Sequence, residues 1–110
     1  MTDREMLELA ARAAGYVFGE YGGKPARQVT TKIGAAWIYW NPREDDGDAL
    51  RLAVYLEFEI DITSTGVAVR TRCGLKVLVN KTEEPDPCTA TRLAITRAAA
   101  EIGRQMEVTK

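Results

Sequence analysis

Histidine is absent from the 110-residue chain, and serine occurs once, at Ser64. Those gaps exclude Ser-His-Asp and Cys-His catalysis, histidine metal ligation and His-x-x-x-His zinc motifs. Cysteine is scarce too. Cys73 and Cys88 can form one disulfide at most, and alone they do not complete a closed zinc site. There is no Gly-x-x-x-x-Gly-Lys loop and no Gly-x-Gly-x-x-Gly fingerprint, so nucleotide-cradling loops are not expected. No apolar run approaches the roughly 18 residues that span a bilayer. The opening Met1-Thr2-Asp3-Arg4-Glu5 lacks the basic-then-apolar order of a signal peptide. A cytoplasmic protein with reduced thiols and no membrane association is the expectation.

What is present is ordinary for a globular chain: 45% apolar residues, 28% charged and a net charge of −1. One domain over residues 1–110 has enough chain to bury a core unaided. The near-neutral balance removes the electrostatic footprint of a duplex-binding protein, so nucleic acid is not an expected partner.

Thr2-Asp3-Arg4-Glu5 fits a capping box, followed by an apolar stripe of Met6, Leu7, Ala10, Ala13 and Ala14 and a stop at Gly15. Tyr16 to Tyr21, Arg27 to Ile33 and Ala36 to Trp40 read as strands, with a turn at Gly22-Gly23. From Asp48 to Leu56 only Asp48, Arg51 and Tyr55 are polar or amphipathic, and they share one narrow face. A helix this apolar is normally covered on several sides. It is expected to be central, with Leu50 and Leu52–Val54 on its broad apolar face.

In Glu57 to Thr63 the residues Phe58, Ile60 and Ile62 face inward. Pairing Thr63 with Gly66 sets Glu59 opposite Arg70, Glu57 opposite Arg72 and Ile60 opposite Val69, so charge and apolar patterns agree on one register. Leu75, Val77 and Val79 continue that face. Asp86-Pro87 starts a last helix whose arc of Thr91, Ala94, Ile95, Ala98, Ala99 and Ile102 leaves Leu93 on the wet side. The order predicts an α+β fold in two layers, a mainly antiparallel sheet with three helices on one face.

Trp40-Asn41-Pro42 with Asp45-Asp46-Gly47-Asp48-Ala49-Leu50-Arg51-Leu52-Ala53-Val54 resembles a block of small bacteriophage and prophage proteins. Ala90-Thr91-Arg92 and Arg97-Ala98-Ala99-Ala100-Glu101-Ile102-Gly103 are similar to their C-terminal helix. The chain departs from that pattern at Arg43-Glu44, where Leu-Thr is usual, and at Tyr55, where Lys is. The resemblance implies a phage-derived accessory protein and transfers no active site.

The candidate binding residues are Trp37, Trp40, Asn41, Asp45, Asp46 and Arg51. Asp45, Asp46 and Asp48 fit either a Mg²⁺ or Mn²⁺ site or the cap of the following helix. The spacing lacks an EF-hand loop, which favours capping. Trp37, Tyr39 and Trp40 offer a stacking platform for a base or an apolar ligand, but they alternate between two faces, so at least one is expected in the core and another is free to be a surface anchor. Arg70, Arg72 and Lys76 offer a phosphate-holding patch, set among Glu57, Glu59 and Asp61. No catalytic residue and no cofactor are expected. The leading expectation is a non-enzymatic protein that binds a host or phage protein. A metal-dependent enzyme on the three aspartates and a weak nucleic-acid module are the alternatives.

Overall fold

The computed structural model describes residues 2–108, with side chains through residue 106. Its elements run α1 (Asp3–Ala14), β1 (Phe18–Tyr21), β2 (Lys24–Thr31), β3 (Gly34–Tyr39), α2 (Asp46–Tyr55), β4 (Glu59–Thr63), β5 (Gly66–Arg70), β6 (Lys76–Asn80) and α3 (Pro87–Val108). The α+β class stands. The strands divide into two antiparallel sheets, β1-β2-β3 and β4-β5-β6, because α2 is inserted between β3 and β4. With a sheet on either side of that insertion the molecule is elongated, 47 × 31 × 25 Å. No helix among the described residues is long and apolar enough to cross a membrane.

Local chemistry sets the boundaries. Thr2 Oγ1 accepts a hydrogen bond from the Glu5 amide at 3.1 Å and starts α1. Gly22 and Gly23 hold φ of +60° and +79° between the paired residues Tyr21 and Lys24. Positive φ at both central positions is the type I′ geometry that matches strand twist. β2 begins at Lys24, earlier than the expected Arg27, and turns at Lys32-Ile33 to pair Thr31 with Gly34. β4 and β5 take the expected register, with Thr63 against Gly66, Ile60 against Val69 and Glu59 against Arg70.

The organising helix is α3, not α2. Asp86 caps it, its Oδ2 accepting from the Thr89 amide at 2.9 Å. From Ala90 to Gly103 most of its residues are buried: α1 lies along it, and β5 and β6 cover it with Val67, Val69 and Val79. Enclosure by two layers overturns the expectation for Leu93, which is 7% exposed rather than wet. Thr96 is fully buried and donates to the Arg92 carbonyl at 2.7 Å, so its hydroxyl is satisfied within the helix. Gly103 lies at the crossing with α1, where a Cβ would overlap the Leu9 carbonyl.

α2 is lateral, which corrects its expected central position. It buries Ala49, Leu52 and Ala53 and leaves Leu50 at 60% and Val54 at 69% exposure. Its one helical neighbour with extensive contact is α3. Apolar composition around a helix does not by itself supply a second covering layer.

Leu52→Ala should cost about 2–5 kcal/mol, whereas Leu50→Ala should stay within about 0.5 kcal/mol. Gly103→Ala should lower stability although alanine is the better helix former by about 1 kcal/mol. Urea unfolding of the three variants measures this, and a stabilised Gly103→Ala would contradict the close crossing.

Candidate functional site

The acidic run and the Trp-Asn-Pro turn fold onto each other. Asp45 is the N-cap of α2, its Oδ2 accepting from the Asp48 amide at 2.8 Å. Asp48 turns back to accept from the Asn41 amide at 2.9 Å and from Arg51 Nη2 at 2.9 Å. The Asn41 side chain accepts from the Arg43 amide at 3.0 Å, and the Asn41 carbonyl accepts from the amides of Glu44 and Asp45. Asp46 points the other way, to Arg92 Nη1 at 2.5 Å. Arg92 Nε also donates to the Arg43 carbonyl at 2.9 Å, and Arg43 Nη1 reaches Asp3 at 2.6 Å. Asp45 and Asp48 thus share Arg51, while Asp46 pairs with Arg92. Among the described residues no three His, Cys, Asp or Glu side chains converge as a metal site.

Four of the six candidate residues, Trp40, Asn41, Asp45 and Arg51, line one open cleft of about 530 Å³ with Lys24, Tyr39, Glu44 and Asp48. Trp40 is core: 3% exposed, with Tyr16 and Phe18 set edge-on at 5.6 and 6.1 Å between ring centres. Trp37 is separate and half-buried, its ring over Gly19. Lys24 sits 5.7 Å from the Tyr39 ring centre, and Arg51 lies 2.9 Å from Asp48 and 3.9 Å from Asp45. Charges of both signs meet here, three carboxylates with two cations, and no nucleophile stands beside a base.

Asp46 lines a different depression. α2 contributes Asp46, Ala49 and Leu50, β4 contributes Ile60 and Ile62, and α3 forms the floor with Cys88, Thr91 and Ile95. This groove holds about 420 Å³ and is walled almost entirely by apolar atoms. Ile62, expected to face the core, is 58% exposed, because α3 underlies β5 and β6 and leaves β4 overhanging. Sequence reading missed the groove. Its signal was present in Leu50 on an over-apolar helix and in the alternation of β4.

Arg70, Arg72 and Lys76 do lie together on the outer side of β4-β5-β6, with Glu57 and Glu59 among them and Arg72 ion-paired to Glu57. The surface is of mixed charge. Cys73 and Cys88 are both free and exposed. The Thr71 hydroxyl, 3.1 Å from Cys73 Sγ, lowers the pKa of that thiol. The chain has no histidine to accompany it, and Cys88 stands apart at the start of α3.

No known protein family matches the chain, and no curated protein or solved structure matches it.

Thr71→Val should raise the Cys73 pKa and slow its alkylation at neutral pH, read by mass spectrometry of iodoacetamide-treated protein. Asp86 has a lowered carboxyl pKa, held down first by the Thr89 hydroxyl and then by the Thr89 amide. A depressed acid contributes stability that is complete above its unfolded value of about 4 and is lost as pH falls through the folded one. Thermal melts from pH 6 downward should therefore show a smaller acid-induced loss in Asp86→Asn than in the wild type.

Proposed function

We propose that this is a small phage- or prophage-derived accessory protein that works by binding another protein, of the bacterial host or the phage, rather than by catalysis. The observation that carries the reading is the apolar groove between α2 and β4, bordered by the exposed side chains of Leu50 and Ile62. Contiguous apolar surface left in water is a feature of protein-interaction sites and ligand grooves. Absence of the usual catalytic residue types supports the same reading, and the resemblance of the Trp-Asn-Pro and Ala-Thr-Arg blocks supports the phage origin. A component of host defence or replication in the bacterial cytoplasm is the kind of target this implies.

The aspartate cluster favours neither a metal enzyme nor a ligand site, since its carboxylates cap α2, hold Asn41 and Arg51, and pair with Arg92. The Arg70-Arg72-Lys76 patch is interleaved with glutamates, which weakens its attraction for phosphate.

Tagged wild-type protein should retain a partner from bacterial cells that Leu50→Lys loses. The Leu50→Lys melting midpoint should be unchanged, because the site is exposed. Equal retention by the two proteins would remove the groove from the account.

A further inference from the structure

Sheet β4-β5-β6 ends at β4, but the helical layer beneath it continues. α3 packs on β5 and β6, and α2 lies beside α3 with no strand above its Leu50 side. A strand added to the outer edge of β4 would lie about 4.8 Å beyond it, over the groove. The backbone groups that β4 turns away from β5 have no protein partner among the described residues. Exposed edges are commonly guarded by charged side chains, above all lysine, or by proline or a bulge, and β4, Glu59-Ile60-Asp61-Ile62-Thr63, has only its two acids for this. Of its two carboxylates, Asp61 stands across from Ala68, and Glu59 faces Arg70 across the strand pair without an ion pair at contact distance.

We propose that β4 is an acceptor edge for an extended segment of a partner protein in which apolar residues alternate with lysine or arginine. Every second side chain enters the groove against Leu50, Ile60 and Ile62. The intervening cations stand on the outer face beside Glu59 and Asp61. This rests on the protein-binding reading above and specifies its partner by chemistry. Main-chain hydrogen bonds give such an addition its affinity, and the alternating side chains give it specificity.

Charge decides against a second copy of the same strand as the occupant. Antiparallel self-pairing must keep the apolar faces together. Centred on Asp61, it sets two aspartates opposite each other. Centred on Ile60, it sets Glu59 against Asp61 on both sides, and centred on Ile62 it pairs only three residues, with Asp61 against Thr63 and no opposite charge gained. Like charges directly opposite are destabilising, and opposite charges are favourable.

The test uses two capped peptides, one alternating valine with lysine and one alternating valine with glutamate, titrated into the full chain. Binding is followed by amide NMR and hydrogen exchange. The lysine peptide should shift the amides of Ile60, Ile62 and Leu50, slow exchange along β4, and bind about tenfold or more tighter than the glutamate peptide. Its advantage should shrink at high salt, and Glu59→Lys combined with Asp61→Lys should reverse the preference. Equal affinity for both peptides, no binding by the lysine peptide, shifts confined to other edges, or a dimer formed across β4 in sedimentation would each overturn the proposal. Should the lysine peptide fail while Leu50→Lys still loses a cellular partner, strand addition falls and the protein-binding reading stands. Should that partner also be indifferent to Leu50, both fall.

Discussion

Everything in this fold depends on how closely α1 and α3 can approach. Ala10, Ala11 and Ala14 on one helix and Ala94, Ala98, Ala99 and Gly103 on the other are buried, and Gly103 lies against the backbone at Leu9. Small side chains put helix axes at the short end of the usual 8–10 Å. The gain is dispersion contact over a long seam, and the tolerance for added volume is small. Once α3 is fixed, its far side receives β5 and β6. Arg92 fastens the turn before α2, and Arg43 extends from that turn to Asp3 at the start of α1.

Features within a few residues of one another were legible in the sequence. The Thr2 and Asp86 caps and the β4–β5 register are set by neighbours and by agreement between charge and apolar alternation. Burial was less legible, because it is decided by what arrives from elsewhere. Leu93 looked wet on a wheel drawn for a helix covered on one side, but α3 is covered on two. Leu50 looked buried because α2 is rich in Ala, Leu and Val, yet no second layer covers it. The links Arg92–Asp46 and Arg43–Asp3 join residues 46 and 40 positions apart. No local pattern announces such pairs.

The candidate residues were partly gathered: Trp40, Asn41, Asp45 and Arg51 share one cleft. Their polar atoms are largely committed to each other, which makes the Trp-Asn-Pro to Asp-Gly-Asp stretch a clasp between β3 and α2. The apolar surface left exposed lies on the opposite side of α2, where the sequence offers only common residues. That separation explains why the most distinctive letters and the most available surface do not coincide.

The seam between α1 and α3 also bears on how the chain matures during synthesis. Its two halves are among the first and the last elements in the described order, separated by both sheets. Each sheet is a local meander that can form as it leaves the ribosome, but α1 has no seam partner until the residues around Gly103 have emerged. Contacts of such long sequence separation form late. Until α3 is made, the alanine stripe of α1, and afterwards the valine face of β5 and β6, are without the helix that covers them. The seam therefore closes only once α3 has emerged, and until then these apolar faces are open to the contacts that chaperones use.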